Sequence, residues 1–304
     1  MTAKVFIDGE FGTTGLQIRA RLEDRRDITL ISLPEAQRKS RAARLDAFAE
    51  ADLGVLCLPD DAVRDIAPEL SALPVRLIDA STAHRTDPDW VFGFPEMTAG
   101  QRARIAAAKS VANPGCYSTG AIALLRPLVE AGLIAPDDPL TINAISGYTG
   151  GGKAMIADFE TGKVTGAFVY KTDQTHKHLP EIVALAGLTR RPIFVPQVGN
   201  YAQGMIVQVP LHLPPEGPAQ AFEALARHYG TSGFVEVTRR EDMPARLDPR
   251  ALNGTNRMVL CVDGDGQTGA TVLIAMLDNL GKGASGAAVQ NLNIMLRRDE
   301  ATGL

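Results

Sequence analysis

The chain has 304 residues, 45 % of them apolar and 22 % charged, with a formal net charge of −4. Such a length supports a large buried core and two domains, and the charge balance leaves no basic footprint for nucleic acid or an anionic membrane surface. Three cysteines, odd in number and far apart, argue against a disulfide framework and for a reducing compartment.

The N-terminus runs straight into an apolar strand, Lys4-Val5-Phe6-Ile7-Asp8, which leaves no room for a signal peptide. No apolar run approaches the roughly 20 residues of a membrane span. A cytoplasmic protein without nucleic-acid or membrane partners is therefore expected. The first strand (residues 3–8) is followed by Gly9-Glu10-Phe11-Gly12-Thr13-Thr14-Gly15 and a helical stretch carrying Leu16, Ile18, Ala20 and Leu22. Residues 28–32 and 53–58 read as strands with a helix over 39–50 between them, and a helix over 61–70 precedes a strand over 75–79. Strands this apolar, separated by helices, predict an α/β domain with a parallel sheet covered on both faces.

Gly9, Gly12 and Gly15 spell G-x-x-G-x-x-G between first strand and first helix, with Thr13 and Thr14 in the turn. Glycines there permit a tight turn and let a pyrophosphate approach backbone N–H groups at the helix start. A glycine turn that only packs helix on sheet is the alternative. The cofactor is read at the end of the second strand, where an acidic residue would bond the ribose hydroxyls of NAD. Here the strand ends in Ser32-Leu33-Pro34, and Arg38, Lys39 and Arg41 follow. A hydroxyl and nearby cations suit the 2′-phosphate of NADP, while Glu35 works against it.

Asp79-Ala80-Ser81-Thr82-Ala83-His84-Arg85 lies at the C-terminal end of a predicted strand, where ligands of open α/β sheets bind. Arg85 is a candidate for an anionic substrate group, or a solvated loop arginine. Gly93-Phe94-Pro95-Glu96 leads to a helix over 99–107 and a strand over 109–112 that delivers Asn113-Pro114-Gly115-Cys116-Tyr117-Ser118-Thr119. Pro114 and Gly115 break the chain at a sharp turn, and the spacing of Ile122, Leu124, Leu125 and Leu128 predicts a buried helix after it. Cys116 falls in or beside the first helical turn, where unpaired N–H groups and the helix dipole favour a thiolate. A thiolate there is a nucleophile toward an acyl carbon, and the same N–H groups can steady the oxyanion that forms. The alternative, a small buried hydrophobe, fits Cys57 and Cys261, each inside an apolar run.

Residues 140–146 alternate like a strand and run into Gly147-Tyr148-Thr149-Gly150-Gly151-Gly152-Lys153, a loop that is a candidate anion nest. Thr175-His176-Lys177-His178-Leu179-Pro180-Glu181-Ile182 holds two of the five histidines. No third ligand cluster accompanies them, so no metal is predicted. A general base near Cys116 is the better use, with Pro180 in the first turn of a helix and Glu181 placed to orient an imidazole. Strands over 193–195, 205–209, 234–237, 256–262 and 271–277, with a helix over 219–229, predict a mixed or antiparallel sheet in a second domain. Asp278-Asn279-Leu280-Gly281-Lys282-Gly283-Ala284-Ser285-Gly286 opens a final helix expected to return to the first domain.

The glycine turn, Asn113-Pro-Gly-Cys116-Tyr-Ser-Thr119, His176-Lys-His178-Leu-Pro-Glu181-Ile and Asp278-Asn-Leu-Gly-Lys-Gly-Ala-Ser-Gly286 occur in that order. Together they resemble the N-acetyl-gamma-glutamyl-phosphate reductases of arginine biosynthesis, specifically their shorter class, which are related to aspartate-semialdehyde dehydrogenase. The resemblance spans essentially the whole chain. It implies a Rossmann-type NADP-binding domain over residues 1–115, rejoined by the C-terminal helix 283–304, and an α+β catalytic and dimerisation domain over 116–282. It implies NADPH-dependent reductive dephosphorylation of N-acetyl-L-glutamyl 5-phosphate through a Cys116 thioester, with the acyl phosphate and phosphate as partners and a homodimer or homotetramer as assembly.

By the same resemblance His178 is favoured over His176 for proton exchange, with Glu181 as orienter or substrate ligand. Arg85, Asn113, Ser146 and Lys153 become substrate ligands. Gly9, Gly12, Thr13, Thr14, Gly15, Ser32, Arg38, Lys39 and Asn279 become cofactor ligands, Asn279 and Lys282 near the nicotinamide end. The longer class commonly has Ser-x-Asp-Phe-Arg where this chain has Ser81-Thr82-Ala83-His84-Arg85, and an arginine where it has Lys153, which loses bidentate geometry. The rival readings are a related acyl-phosphate reductase, aspartate-semialdehyde dehydrogenase foremost, and a dinucleotide-binding sensor without chemistry.

Overall fold

The structure is a computed structural model that describes residues 2–304. The chain divides into two compact units, one running to Pro114 and resuming over Ala284–Leu304, the other formed by Gly115–Gly283.

In the first unit β1 (Ala3–Asp8), α1 (Thr13–Leu22), β2 (Ile28–Ile31), α2 (Arg41–Glu50), β3 (Leu53–Leu56), α3 (Asp60–Ser71) and β4 (Arg76–Asp79) alternate. The short strand β5 (Val91–Phe92), α4 (Gln101–Ala107) and β6 (Ser110–Ala112) follow. All six strands are parallel, in the order β2-β1-β3-β4-β6-β5. Because side chains alternate along a strand, β1 feeds two cores. Val5 and Ile7 join Leu53, Val55 and Ile78 beneath Ile18 and Leu22 of α1 and Ile105 of α4. Phe6 joins Leu56 and Leu77 beneath Phe48 of α2 and Val63, Ile66 and Leu70 of α3. The second core leaves no room at Gly54, where a Cβ would stand 2.4 Å from the Phe48 ring.

Helix ends follow local chemistry rather than the apolar pattern alone. α2 starts after Ser40, whose side chain accepts from the Ala43 amide, so Lys39 lies outside it. α4 starts after Gly100, which has φ 77°, so residues 99 and 100 belong to the turn before it.

The second unit contains α5 (Cys116–Glu130), β7 (Thr141–Gly147), α6 (Gly152–Glu160), β8 (Phe168–Val169), α7 (Leu179–Ala186), β9 (Ile193–Gly199), β10 (Met205–His212) and α8 (Gly217–Tyr229). β11 (Val235–Val237), β12 (Met258–Gly264) and β13 (Ala270–Leu277) complete it, and α9 (Gly286–Met295) lies in the first unit. Its seven strands run β11-β12-β13-β10-β7-β9-β8. Pairing is parallel at β11–β12 and β7–β9 and antiparallel elsewhere, which is the mixed sheet expected.

α5 packs so closely on this sheet that a Cβ at Gly120 would reach within 2.8 Å of the Val207 side chain. Tyr229 of α8 donates to the Ala123 carbonyl at 3.0 Å. The opposite face gathers Ile206, Cys261, Ile274 and Met276 with Met243, Leu247 and Leu252. The stretch over 147–153 is not an open loop: Tyr148–Gly151 forms a 3-10 turn and α6 begins at Gly152. Glycines disfavour helix and mask this start in the sequence. The helix is held by tertiary stacking, with Phe159 on Tyr148 at 4.8 Å and on Phe168 at 6.1 Å between ring centroids.

In the first unit Val289, Leu292 and Met295 of α9 enter the α1 side of the core. Arg25 donates to the Asn293 side chain at 2.6 Å, and Asn293 donates to the Thr302 carbonyl at 2.9 Å, which fixes the last turn of the chain. Among the described residues no helix is long and apolar enough to cross a membrane.

Candidate active site

The second unit opens on the cysteine. Gly115 caps α5 with φ −80° and ψ 151°, and Cys116 is the first helical residue. The first intrahelical bond runs from the Thr119 amide to the Gly115 carbonyl at 2.9 Å. Ser118 and Thr119 hydroxyls donate to the same oxygen at 2.8 Å each. The amides of Tyr117 and Ser118 therefore have no intrahelical acceptor and concentrate the positive end of the helix dipole beside the half-buried sulfur. Gly283 passes so near that a Cβ on it would lie 2.8 Å from Cys116 Cβ.

The two histidines have different surroundings. His176 Nδ1 accepts from the His178 amide at 3.1 Å. In the neutral ring this puts the proton on Nε2, which lies 3.2 Å from the Tyr170 hydroxyl. His178 immediately precedes α7, and its Nε2 lies 3.8 Å from Glu181 Oε1. The other carboxylate oxygen of Glu181 accepts from the Gly115 amide at 3.3 Å. One buried carboxylate thus ties the histidine to the turn that carries Cys116.

Tyr117 packs edge-on against His176 at 5.7 Å between centroids and donates to the Gln197 carbonyl at 2.8 Å. Burial, with a smaller contribution from the neighbouring Cys116, pushes the Tyr170 phenol up to about 12. Among the described residues no group of three His, Cys, Asp or Glu side chains is placed to hold a metal ion.

Lys153 is exposed in the first turn of α6. Ser146 is buried and donates to the Gly147 carbonyl at 3.2 Å. Asn279 is buried, with Oδ1 accepting from the Gly204 amide at 2.8 Å and Nδ2 donating to Thr149 at 3.0 Å. Its amide clamps two turns together. Lys282 is buried with its ammonium 5.4 Å from the Phe234 ring centre.

In the first unit the glycine turn is packed too tightly to admit side chains at Gly9 and Gly15. Gly9 has φ 88° and a Cβ on it would meet the Cys57 carbonyl at 2.4 Å; a Cβ on Gly15 would meet the Gly9 carbonyl at 2.4 Å. Gly12 caps α1, and Leu16 is the first residue whose amide is bonded back to it, at 2.9 Å. The amides of Thr13, Thr14 and Gly15 are therefore outside the helical ladder, a cradle that fits a pyrophosphate. Ser32 stands just beyond β2, and Arg38 lays its guanidinium 3.7 Å from the Phe11 ring centre. Lys39 is exposed, and Arg41 is paired with Asp65 and Glu69.

Arg85 is buried and donates from Nε to the Asn113 carbonyl at 2.9 Å. Asn113 spends both ends of its side chain within the unit, donating to the Ala284 carbonyl at 2.9 Å and accepting from Asn291 at 3.2 Å. His84, which had no assigned role, pairs with the fully buried Asp79 at 2.8 Å and stacks on Trp90 at 4.2 Å.

The three cysteines should separate cleanly in reactivity. Burial pushes the Cys57 thiol far up and the Cys261 thiol up to about 11. At pH 8 a thiol with that value is ionised in only about one molecule in a thousand. Iodoacetamide on the native protein at pH 8 is expected to place one label, on Cys116. Comparable labelling of Cys57 or Cys261, read by peptide mass spectrometry, would refute this ordering.

Comparison with known proteins agrees with this division of the chain. Residues 14–106 match the model described as semialdehyde dehydrogenase, NAD binding domain, and residues 116–279 match semialdehyde dehydrogenase, dimerisation domain. N-acetyl-gamma-glutamyl-phosphate reductase of Brucella anthropi is 52% identical over 97% of this chain and 99% of its own length. The protein of the same name from Brucella ovis is 51% identical over the same shares. Among solved structures, aspartate semialdehyde dehydrogenase II of Vibrio cholerae has a TM-score of 0.73 at 18% identity, covering 98% of this chain and 99% of that one. Aspartate semialdehyde dehydrogenase of Francisella tularensis has a TM-score of 0.72 at 14% identity, covering 97% and 100%. At those identities the structures share the fold, and the sequence relatives define the branch: the chain belongs to the N-acetyl-gamma-glutamyl-phosphate reductase family of the semialdehyde dehydrogenases.

Proposed function

We propose that this chain catalyses the NADPH-dependent reduction of N-acetyl-L-glutamyl 5-phosphate to N-acetyl-L-glutamate 5-semialdehyde with release of phosphate. The observation that carries the reading is Cys116 at the first position of α5, joined through Glu181 to His178, in a chain 52% identical to a reductase of that name.

Cys116 sulfur attacks the acyl carbon. A C–S bond forms, the bond from that carbon to the phosphate oxygen breaks, and phosphate leaves with the electron pair. The amides at the start of α5 steady the oxyanion formed on the way. NADPH, when bound, supplies the hydride that reduces the thioester. His178 gives a proton to the thiohemiacetal oxyanion as it forms and takes it back as the C–S bond breaks, so that the aldehyde leaves and Cys116 returns as thiolate. The reverse direction uses the same proton transfers, and Glu181 holds the ring. His176 acts as a positioning residue, because its Nδ1 is committed to the His178 amide. The first unit binds the dinucleotide through Gly9, Gly12, Thr13, Thr14 and Gly15, and Ser32 and Arg38 face the adenosine end. The second unit, matched as a dimerisation domain, assembles the chain into a homodimer or homotetramer, in the cytoplasm.

The test is phosphate-dependent NADP⁺ reduction, with N-acetyl-glutamate semialdehyde and aspartate semialdehyde compared side by side. Turnover with the N-acetylated aldehyde alone is expected. Preference for aspartate semialdehyde would transfer the chain to the related dehydrogenase activity, and turnover of neither would defeat the substrate assignment.

A further inference from the structure

At the exit of β2 three side chains meet that are far apart in the sequence. Glu10, from the glycine turn, is buried, yet its Oε2 takes both of its neighbours. Ser32 donates to that oxygen at 3.1 Å. Arg19, from the second turn of α1, donates to Ser32 Oγ at 2.9 Å and forms an ion pair with the same Glu10 oxygen. Arg19 remains about one-third exposed, and its Nε lies 4.0 Å from Glu23. Arg38 stands over Phe11, the residue next to Glu10 in the turn, and donates to the Leu33 carbonyl at 3.2 Å. Two guanidinium groups, a hydroxyl and one carboxylate therefore surround the place where a parallel-sheet nucleotide domain reads the adenosine ribose.

The chemistry of this group is mixed. A ribose 2′-hydroxyl is a donor and suits a carboxylate, as Glu10 provides. A 2′-phosphate is an acceptor with up to two negative charges; it suits guanidinium groups and is repelled by Glu10. The acidic residue that chain order did not place at the end of β2 is supplied there in space by the glycine turn. Its charge is offset by Arg19 rather than absent.

We propose that Glu10 and Arg19 set the choice between phosphorylated and unphosphorylated dinucleotide. Arg19 is the 2′-phosphate ligand, steered by Glu10, and Glu10 limits the preference by retaining affinity for a free 2′-hydroxyl. This rests on the dinucleotide reading of the glycine turn.

The experiment titrates the full chain with 2′,5′-ADP, 5′-AMP, NADPH and NADH by calorimetry, for wild type, Glu10→Gln, Arg19→Met, Arg19→Lys and Arg38→Met, with thermal melts to establish folding. Glu10→Gln is expected to raise the NADPH-to-NADH affinity ratio by about fivefold or more. Arg19→Met is expected to weaken 2′,5′-ADP and NADPH by about tenfold or more while 5′-AMP and NADH change less than about twofold. Arg19→Lys should restore part of the loss. A ratio unmoved in both Glu10 and Arg19 variants, equal losses for all four ligands in a folded variant, or a phosphate-specific loss confined to Arg38→Met would overturn the assignment. Wild type that binds none of the four ligands would instead sink the dinucleotide reading itself, and this proposal with it.

Discussion

Cys116→Ala is expected to lower phosphate-dependent turnover by at least about 10⁴-fold in a protein that remains folded. The proposed reaction has no second nucleophile: Cys57 and Cys261 are held as thiols by burial, and the Ser118 and Thr119 hydroxyls are both committed to the Gly115 carbonyl. The fold should tolerate the change. The substitution removes one sulfur from a half-buried position at the start of a helix, Ala is a good helix former, and the Gly115 turn keeps its bonds to Glu181 and Thr119. A cost of about 1 kcal/mol or less is expected. The measurement is steady-state turnover beside a thermal melt, with mass spectrometry of the protein after exposure to acyl phosphate. Wild type should gain the mass of the N-acetylglutamyl group and the variant should not. Activity that survives in the variant would refute the covalent route.

His178→Asn should lower kcat by about 10² to 10⁴-fold with KM little changed, whereas His176→Asn should cost much less. The two rings lie 4.7 Å apart between centroids, so proximity alone does not separate them. Their bonds do: His176 Nδ1 receives the His178 amide and its Nε2 faces the Tyr170 hydroxyl, while His178 Nε2 faces the Glu181 carboxylate. In the direction of aldehyde oxidation the base must begin without its proton, so activity falls as pH drops through imidazole titration. His178→Asn removes that limb of the kcat/KM profile, and His176→Asn leaves it in place at lower amplitude. The reverse pattern, with the limb lost in the His176 variant, would exchange the two roles.

The difference between those histidines was not visible in Thr175-His176-Lys177-His178 taken alone. Spacing places both near the start of a helix, and only the course of the backbone turns one ring back onto the other residue's amide. The same separation recurs across the molecule. The position of Cys116 at a helix start was legible because its signal is local: Pro114 and Gly115 break the chain, and apolar spacing resumes immediately after. The parallel sheet was legible for a related reason, since strands buried on both faces read as continuous apolar runs.

Contacts between distant segments were not legible. Gly283 lies beside Cys116, Glu181 bonds the Gly115 amide, and Glu10 reaches Ser32 with Arg19. Asn113, Asn279 and Ser146 carry side chains suited to ligands, and each also makes hydrogen bonds within the protein, as a buried polar group left unpaired is costly. By itself, then, the sequence determined the turn and helix start that carry Cys116, the alternation that builds the parallel sheet and the glycine turn at its first strand, all properties of neighbouring residues. Only the tertiary structure decided which distant polar groups pair with one another, since that depends on partners brought into hydrogen-bonding distance by packing.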